Sequence, residues 1–358
     1  MLAPDQQRRR LLATLVEWVL GSAHTQPLVI VIEDLHWVDP STLELIQLLV
    51  EQGATARLLL LYTSRPEFRA PWPSRAHHSQ INLNRLSAAN VRAMVAQVAA
   101  AKTLSDDTVA IVVERTGGIP LFVEELTRAV LEGGDGKFTA HEIPATLHDS
   151  LTARLDGLGP AKDVAQVGAV IGREFSFELL QAVQPLTEVD LQTALAKLTD
   201  AELLYVRGIA PDATYQFKHA LILDAAYEAV LKSRRKELHL TIARTIDEKF
   251  PAINQAHPEV LARHWAEAGE TESAIAAWMR SGEAAESRNA FQEALRSYQQ
   301  SLAMINALPA SSDRDARELS LLQCAVRMLW IIRGPSAEET RHTIERAAAL
   351  AEKSGNFA

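Results

Sequence analysis

The stretch "PLVIVIEDLHWVDPSTLELI", from Pro27 to Ile46, decides the fold of the N-terminal part of the chain. Its apolar run, Val29–Ile32, consists of β-branched residues and is typical of a strand covered on both faces of a parallel sheet. Two acidic residues, Glu33 and Asp34, follow this run directly. Ligands of parallel sheets bind where the strands end, so the stretch indicates a candidate site as well as a strand.

A helix and a second strand follow the acidic pair. Between Ser41 and Glu51 the apolar residues recur at helical spacing, and Leu58–Leu61 is another short apolar run. Asp39 is a candidate N-cap in front of Pro40, which suits the first helical position, and Ser41 is the alternative cap. Strand, helix and strand together predict a βαβ unit of an α/β fold.

The acidic pair lies where the magnesium-binding element of a nucleotide site would require it. A strand that ends in carboxylates presents them to Mg²⁺ and to the attacking water, as the Walker B element does. Arg65, shortly after the second strand, is a candidate partner for phosphate oxygens. The residues alone leave simpler alternatives open, because acids also terminate buried strands and Arg65 also begins a proline-rich surface loop.

The middle of the chain is predominantly helical by its pattern. From Ala88 to about Leu131 the spacing predicts helices broken at "TGGIP" (Thr116–Pro120), and Glu132–Lys137 has the composition of a flexible boundary. Four predicted helices then precede two strand candidates, Leu203–Arg207 and Thr214–Lys218. This order of elements is that of a winged-helix domain.

The C-terminal part predicts an array of helices. Ala220–Lys249 predicts two helices, and from about Pro258 the chain is helical and rich in alanine. Apolar, small, aromatic and turn residues follow one another at the offsets of a tetratricopeptide-type (TPR) hairpin: Leu261, Ala262, Trp265, Gly269, Ala274 and Trp278. Ala294 and Tyr298 repeat the pair Ala274 and Trp278, and this repeat is between successive helices and not between successive whole TPR units. These observations predict a degenerate α-solenoid.

Composition and charge narrow the class of protein. The 358 residues carry a net charge of −9, which gives no general attraction to nucleic acid or anionic lipid. The only cysteine, Cys324, excludes an intrachain disulfide framework and favours a cytoplasmic location. No apolar run approaches the ~20 residues needed to cross a bilayer.

The N-terminal segment Arg8–Ala23 combines features of a signal peptide and of a helix. Glu17 interrupts the apolar region that a signal peptide requires. Leu11, Leu15 and Val19 recur at i, i+4 and i+8, which predicts one face of an amphipathic helix.

Several longer stretches carry a resemblance to a known family. They are "EDLHWVDPSTLELI", "TSRPEF", "GGIPLFVEEL", "IPATLHDSLTARLDGLGPAKDVAQVGAVIGREFSFELL" and "YQFKHALILDAAYEAVLKSRRKELH". Together they resemble the AAA+-like ATPase module with helical repeats that follows the cyclase domain in large bacterial class III adenylate cyclases. Large LuxR-type transcriptional regulators contain a similar module. Both groups are signal-transduction ATPases with numerous domains (STAND).

The resemblance implies an α/β part followed by an all-α part. Residues 1–86 would form the C-terminal half of an AAA+-like core with a partial parallel sheet, and residues 87–137 a helical lid. Residues 138–250 would form a winged-helix domain, and residues 251–358 a TPR-like α-solenoid.

The resemblance also implies roles for five residues. Glu33 and Asp34 match the Walker B acids that act in catalysis and hold Mg²⁺, and Arg65 matches the sensor arginine. Pro120 matches the lid proline beside the adenine, and His219 matches the winged-helix histidine that contacts the phosphates of bound ADP. From the residues alone, Pro120 also suits the first position of a helix and His219 also suits a core histidine.

The phosphate-binding half of the site is missing from the sequence. A P-loop requires G-x-x-x-x-G-K-[ST], and the only Gly-Lys pair is Gly136–Lys137, with Phe138 after it and Leu131 at the first glycine position. A cyclase domain is missing as well. We therefore expect a piece of a longer protein, with a stand-alone relic as the alternative, and negligible ATPase activity of this chain alone.

The expected function is regulatory. ATP or ADP with Mg²⁺, together with a protein or small effector on the helical repeats, would control an upstream cyclase or another output domain. The alternative is a nucleotide-free scaffold whose helical array binds a protein or small effector. Direct binding to nucleic acid is not expected, although basic residues cluster in Lys232–Lys236.

Overall fold

The computed structural model describes residues 4–100, 104–132 and 146–354. The described chain is mostly helical and contains two small sheets. It divides into two compact units. Unit 1 comprises Met1–Gln80 together with Ala252–Ala358, and unit 2 comprises Ile81–Pro251.

The elements of the N-terminal and middle parts are, in chain order, α1 (Pro4–Thr25), β1 (Leu28–Ile32), α2 (Pro40–Gln52), β2 (Leu58–Tyr62), α3 (Ala88–Ala99), α4 (Asp106–Thr116), α5 (Pro120–Glu132), α6 (Leu147–Gly157), α7 (Ala161–Ile171), β3 (Glu174–Ser176), α8 (Phe177–Val183), α9 (Glu188–Asp200), β4 (Leu204–Arg207) and β5 (Thr214–Phe217). The remaining elements are α10 (Ala220–Glu228), α11 (Lys232–Lys249), α12 (Pro251–Ala256), α13 (Pro258–Ala268), α14 (Thr271–Ser287), α15 (Phe291–Ile305), α16 (Ser312–Arg333) and α17 (Glu338–Ser354).

Unit 1 begins with a small parallel sheet. β1 pairs with β2 in the register Leu28↔Leu58 to Ile32↔Tyr62, and α2 connects them. The predicted strand–helix–strand order is therefore confirmed. The side chains of Leu28, Ile30, Leu58 and Leu60 pack against apolar residues of α1 and α2, which cover this face of the sheet.

The opposite face of the sheet is bare. Val29, Val31, Leu59 and Leu61 point away from the two helices and are each 51–57% exposed. The sequence predicted strands covered on both faces, and for this face the prediction is wrong for the described residues. Parallel sheets are normally covered on both sides, because their crossover helices pack there. The side chains on this face are apolar and therefore suited to burial, but the described residues leave them exposed.

Helix α1 buries a different stripe from the predicted one. Leu12, Val16, Val19 and Ala23 are buried, whereas Leu11 is exposed. The predicted helix is confirmed. Its predicted buried face is wrong at the N-terminal end, where Leu12 is buried in place of Leu11. Two neighbouring stripes of α1 are apolar, and packing against the sheet and α2 selects the second one.

The C-terminal part of unit 1 is a helical array in which each helix from α13 to α17 packs on the next. Gly269, the predicted turn residue, ends α13 in the left-handed conformation at φ 84°, which glycine adopts without strain. Tyr298 is fully buried, and its hydroxyl donates a hydrogen bond to Glu286 at 2.9 Å. Burial and this hydrogen bond raise the pKa of Tyr298, so the phenol remains a donor at neutral pH.

Gly282 of α14 gives the array a testable packing constraint. A Cβ at this position would lie 2.4 Å from Cε1 of Tyr298. Gly282→Ala should lower the free energy of unfolding by up to about 2 kcal/mol, since the ~1–3 kcal/mol cost of overpacking exceeds the ~1 kcal/mol gain in helix propensity. Thermal unfolding followed by circular dichroism measures the effect. The matched control is Gly21→Ala in α1, where no atom lies within 4 Å of the added methyl group; a Gly282→Ala midpoint at or above that of this control contradicts the prediction.

Unit 2 combines a helical group with a small antiparallel sheet. Helices α3, α4 and α5 share a core that includes Val91, Val112 and Leu126. Helices α7 to α10 pack against the sheet, whose strand order is β3-β5-β4, and α6 and α11 pack on these helices. The hairpin β4–β5 and the two helices in Ala220–Lys249 were predicted, whereas β3 and the break between α3 and α4 were not. Of the predicted boundary Glu132–Lys137, only Glu132 lies within the described residues.

A buried ion pair joins the two parts of unit 2. Arg154 of α6 pairs with Glu125 of α5, with side-chain exposures of 3% and 5%, and also donates to the carbonyl oxygen of Ala201.

Glu202, the residue after Ala201, accepts hydrogen bonds from Arg128 at 2.7 Å and Lys218 at 2.8 Å. The hydrogen bond from Lys218 holds the pKa of Glu202 below its ordinary value. Arg128 also lowers this pKa, whereas partial burial raises it.

Removal of one partner of the buried pair should be costly. Arg154→Ala should lower the free energy of unfolding by about 3–5 kcal/mol, because the Glu125 carboxylate is left buried and unpaired. Exposed Arg92→Ala on α3 is the control and should cost less than ~0.5 kcal/mol. Denaturant unfolding followed by circular dichroism checks both values. A double variant, Glu125→Leu with Arg154→Met, should recover part of the loss, and a double variant less stable than Arg154→Ala argues against the stated cause.

Candidate functional site

The acidic pair lies in the turn that follows β1. Glu33 is exposed, and Asp34 adopts the left-handed conformation with φ 54° and ψ 47°. A single 3₁₀ turn, Leu35–Trp37, continues the chain, and the amide of Trp37 donates to the carbonyl oxygen of Asp34 at 2.8 Å. Left-handed backbone is uncommon outside glycine and is best tolerated by Asn and Asp, so the conformation itself suits Asp34.

Thr63, the first residue after β2, attaches this turn to the neighbouring strand. Its amide donates to the carbonyl oxygen of Ile32 at 3.0 Å, and its carbonyl oxygen accepts from the amide of Leu35 at 2.8 Å. Its hydroxyl accepts from the amide of Asp34 at 3.0 Å. Three hydrogen bonds therefore fix the acidic turn against the end of β2 and bring both strand ends to one edge of the sheet.

Arg65 lies at the same edge. Its guanidinium carbon is 5.4 Å from the centre of the Trp37 ring, a cation–π geometry, and Trp37 in turn packs on His36 at 4.7 Å. Trp37 is 52% exposed. The structure thus brings three predicted residues, Glu33, Asp34 and Arg65, to one edge.

Sequence reasoning missed two contributors to this edge. Neither Thr63 nor Trp37 was among the predicted site residues. The signal for Thr63 was its place directly after an apolar strand. Nothing in the sequence indicated that Trp37 would be exposed and would contact Arg65.

Asp39 caps α2 as predicted. Its carboxylate accepts from the amide of Thr42 at 2.8 Å, and Pro40 occupies the first turn. Partial burial by itself would raise the pKa of Asp39. The hydrogen bonds from Thr42 lower this pKa and outweigh the effect of burial, and the Glu293 side chain lowers it as well. The pKa of Asp39 is therefore below its ordinary value.

The two carboxylates at this edge suit a hard cation such as Mg²⁺, whose remaining ligands would come from water or phosphate. Glu33 and Asp34 supply carboxylate oxygens, and Mg²⁺ commonly takes one or two carboxylates together with water and substrate phosphates. Among the described residues no group of three or more His, Cys, Asp and Glu side chains is arranged to hold a metal ion. A cation at this edge would therefore need ligands beyond the two acids.

The two other predicted residues belong to unit 2. Pro120 is the first residue of α5 and follows Gly117 and Gly118, which have φ angles of 52° and 75°. The carbonyl oxygen of Gly118 accepts from the amide of Leu86 at 2.7 Å. His219 occupies the N-cap position of α10, two residues after the end of β5, but its side chain does not cap the helix. It is partly buried, unlike a core histidine.

The basic cluster of α11 is partly engaged within unit 2. Arg234 pairs with Glu237 at 3.2 Å, and the guanidinium of Arg235 lies 4.8 Å from the centre of the Tyr227 ring. None of the helices in the described ranges is both long and apolar enough to cross a bilayer.

No protein-family model matches the chain. An uncharacterised protein of Rhizobium meliloti (strain 1021) is 27% identical over 340 residues, which is 91% of this chain. The aligned region is 33% of that protein, so the chain spans about a third of the length of this relative.

The contribution of Thr63 to the acidic turn can be measured. Thr63→Val removes the hydroxyl that accepts from the Asp34 amide and should lower the free energy of unfolding by about 0.5–1.5 kcal/mol. The control, Thr63→Ser, keeps the hydroxyl and should remain closer to the wild type. Denaturant unfolding gives both values. A loss in Thr63→Ser with none in Thr63→Val would show that the methyl group, and not the hydroxyl, stabilises the turn.

Proposed function

We propose that this chain is a regulatory module of the STAND ATPase type, a nucleotide-dependent switch that controls an output domain of a bacterial signalling protein. The observation that carries the proposal is the edge at which Asp34, beside Glu33, is hydrogen-bonded to the end of β2 and Arg65 lies close by. In this proposal the two acids are the Walker B pair and Arg65 is the sensor of the terminal phosphate.

The bare face of the sheet supports an incomplete nucleotide-binding core. Val29, Val31, Leu59 and Leu61 form a contiguous apolar surface because they pair in register across the two strands. In the proposed core this face is covered by the phosphate-binding half, which also supplies the P-loop. The region of the Rhizobium meliloti relative that matches this chain is a third of that protein.

In the same proposal, unit 2 provides the lid and the winged-helix domain. The three-helix group α3–α5 would be the lid, with Pro120 beside the adenine. The sheet β3-β5-β4 with its surrounding helices would be the winged-helix domain, with His219 at the phosphates of ADP. The helical array α13–α17 would be a TPR-like sensor for a protein or small effector, and a cyclase or transcriptional regulator would be the output.

Without a P-loop, nucleotide binding by this chain should be weak. Each lost charge-assisted hydrogen bond to phosphate removes about 1.5–3 kcal/mol. Mg²⁺, when bound, would neutralise phosphate charge beside Glu33 and Asp34, and Arg65 would contact phosphate oxygens. We expect no phosphate release from Mg-ATP by the chain alone.

Titration calorimetry tests the proposal. Mg-ADP should bind weakly to the chain, and the binding should disappear without Mg²⁺ and in the double variant Glu33→Gln with Asp34→Asn. The control is Glu17→Gln, an exposed acid of α1 in the same unit, which should bind as the wild type does. Absence of Mg-dependent binding in the wild type, or equal binding by the double variant, would refute the proposal.

A second candidate function is that of a nucleotide-free scaffold. It is favoured by a cavity of about 280 Å³ between α15, α16 and α17, whose floor is formed by apolar residues such as Leu302 and Leu329 and whose rim includes Gln299 and Arg346. A cavity of this size accepts one side chain or a small ligand. In this case the calorimetric titration shows no nucleotide binding.

A further inference from the structure

The helix that follows the acidic turn is held at its first turn by the helical array. The amide of Ser41, in α2, donates a hydrogen bond to Oε1 of Glu293, in α15, at 2.9 Å. Both helices belong to unit 1. Pro40 has no amide hydrogen, and the amide of Thr42 is satisfied by Asp39. Glu293 therefore completes the capping of α2 from 252 residues away in sequence.

Arg8 forms a second connection at the same junction. Its guanidinium donates to the carbonyl oxygen of Asn289 at 2.6 Å, to the hydroxyl of Ser41 at 3.1 Å and to the carboxylate of Glu44 at 2.6 Å. One side chain of α1 thus links the start of α2 to the turn before α15. The Arg8 side chain is only 12% exposed, so these charge-assisted bonds are partly shielded from water.

The turn between α14 and α15 gives this junction its shape. Asn289 has a φ angle of 59°, and the amide of Ala290 donates to the carbonyl oxygen of Ala285 at 2.9 Å. This reversal presents the Asn289 carbonyl group to Arg8 and places Glu293 in the first turn of α15. A change in the packing of α14 against α15 would therefore act directly on both connections.

The junction also contains an opposing force. Asp39 and Glu293 are both acidic and both serve the N-terminus of α2. Oε2 of Glu293 is buried and accepts no hydrogen bond from the described residues. The N-terminus of α2 attracts the Glu293 carboxylate, whereas its unsatisfied buried oxygen works against the contact. These two effects oppose each other at the junction.

We propose that Glu293 and Arg8 form a regulatory clamp through which the helical array controls the acidic turn. The proposal rests on the proposed function in one respect, since the controlled site is taken to be the nucleotide site. With the clamp closed, α2 holds the segment between Asp34 and Asp39 in its observed form. An effector that binds the array better when α15 has moved would open the clamp and loosen this segment.

Hydrogen exchange of the full chain, resolved to single amides by NMR, tests the clamp. In Glu293→Ala the amide of Ser41 should exchange about tenfold faster than in the wild type, the factor that corresponds to one hydrogen bond of ~1.4 kcal/mol. Glu293→Gln retains an acceptor oxygen and should exchange close to the wild type. The matched control is Glu283→Ala on α14, an exposed glutamate, which should leave the Ser41 amide unchanged.

A titration of the same variants with Mg-ADP separates regulation from mere packing. Glu293→Ala should weaken Mg-ADP binding at least fivefold, the lower end of usual coupling between sites, because the loosened turn must be ordered on binding. Unchanged exchange at Ser41 overturns the clamp. Faster exchange with unchanged Mg-ADP affinity overturns its regulatory role. Absence of Mg-ADP binding in the wild type overturns the proposed function and with it the regulatory role, while the exchange result still decides whether the contact exists.

Discussion

The hydrogen bonds of Thr63 are the constraint on which the rest of unit 1 depends. In a parallel pair the two strands end at the same edge, and at this edge Thr63 donates to Ile32 and accepts from Asp34 and Leu35. These bonds fix the left-handed backbone of Asp34, and the chain then turns through Leu35–Trp37 into α2. The position of the α2 N-terminus, and hence its contact with α15, follows from this one junction.

Features that depend on a few neighbouring residues could be predicted from the sequence. The two strands follow from their β-branched or apolar runs, and the start of α2 follows from Asp39 and Pro40. The turn at Gly269 follows from the left-handed conformation that glycine permits. In each case the pattern and the structure agree because the stabilising interaction lies within a few residues.

The remaining features depend on contacts that no local pattern encodes. The buried stripe of α1 could not be chosen from periodicity, because the stripes that begin at Leu11 and Leu12 share Val19 and the sheet selects between them. The contact of Arg65 with Trp37 joins two loops, and the capping of Ser41 depends on the distant Glu293. The exposed face of β1 and β2 departs from the usual rule for parallel strands, which the apolar runs alone could not reveal.

The bare face and the incomplete donor set lie on the same small sheet. Covering four aliphatic side chains that are 51–57% exposed would contribute on the order of 3–6 kcal/mol. Two carboxylates, in contrast, hold Mg²⁺ poorly without phosphate or further oxygen ligands. Under the proposed function a single α/β segment meets both needs, because a helix on the bare face is followed or preceded by a loop at the edge where Glu33 and Asp34 lie. The apolar surface would then supply the binding energy that positions the phosphate-binding loop, and the acidic turn could remain polar and weakly binding until that loop is in place.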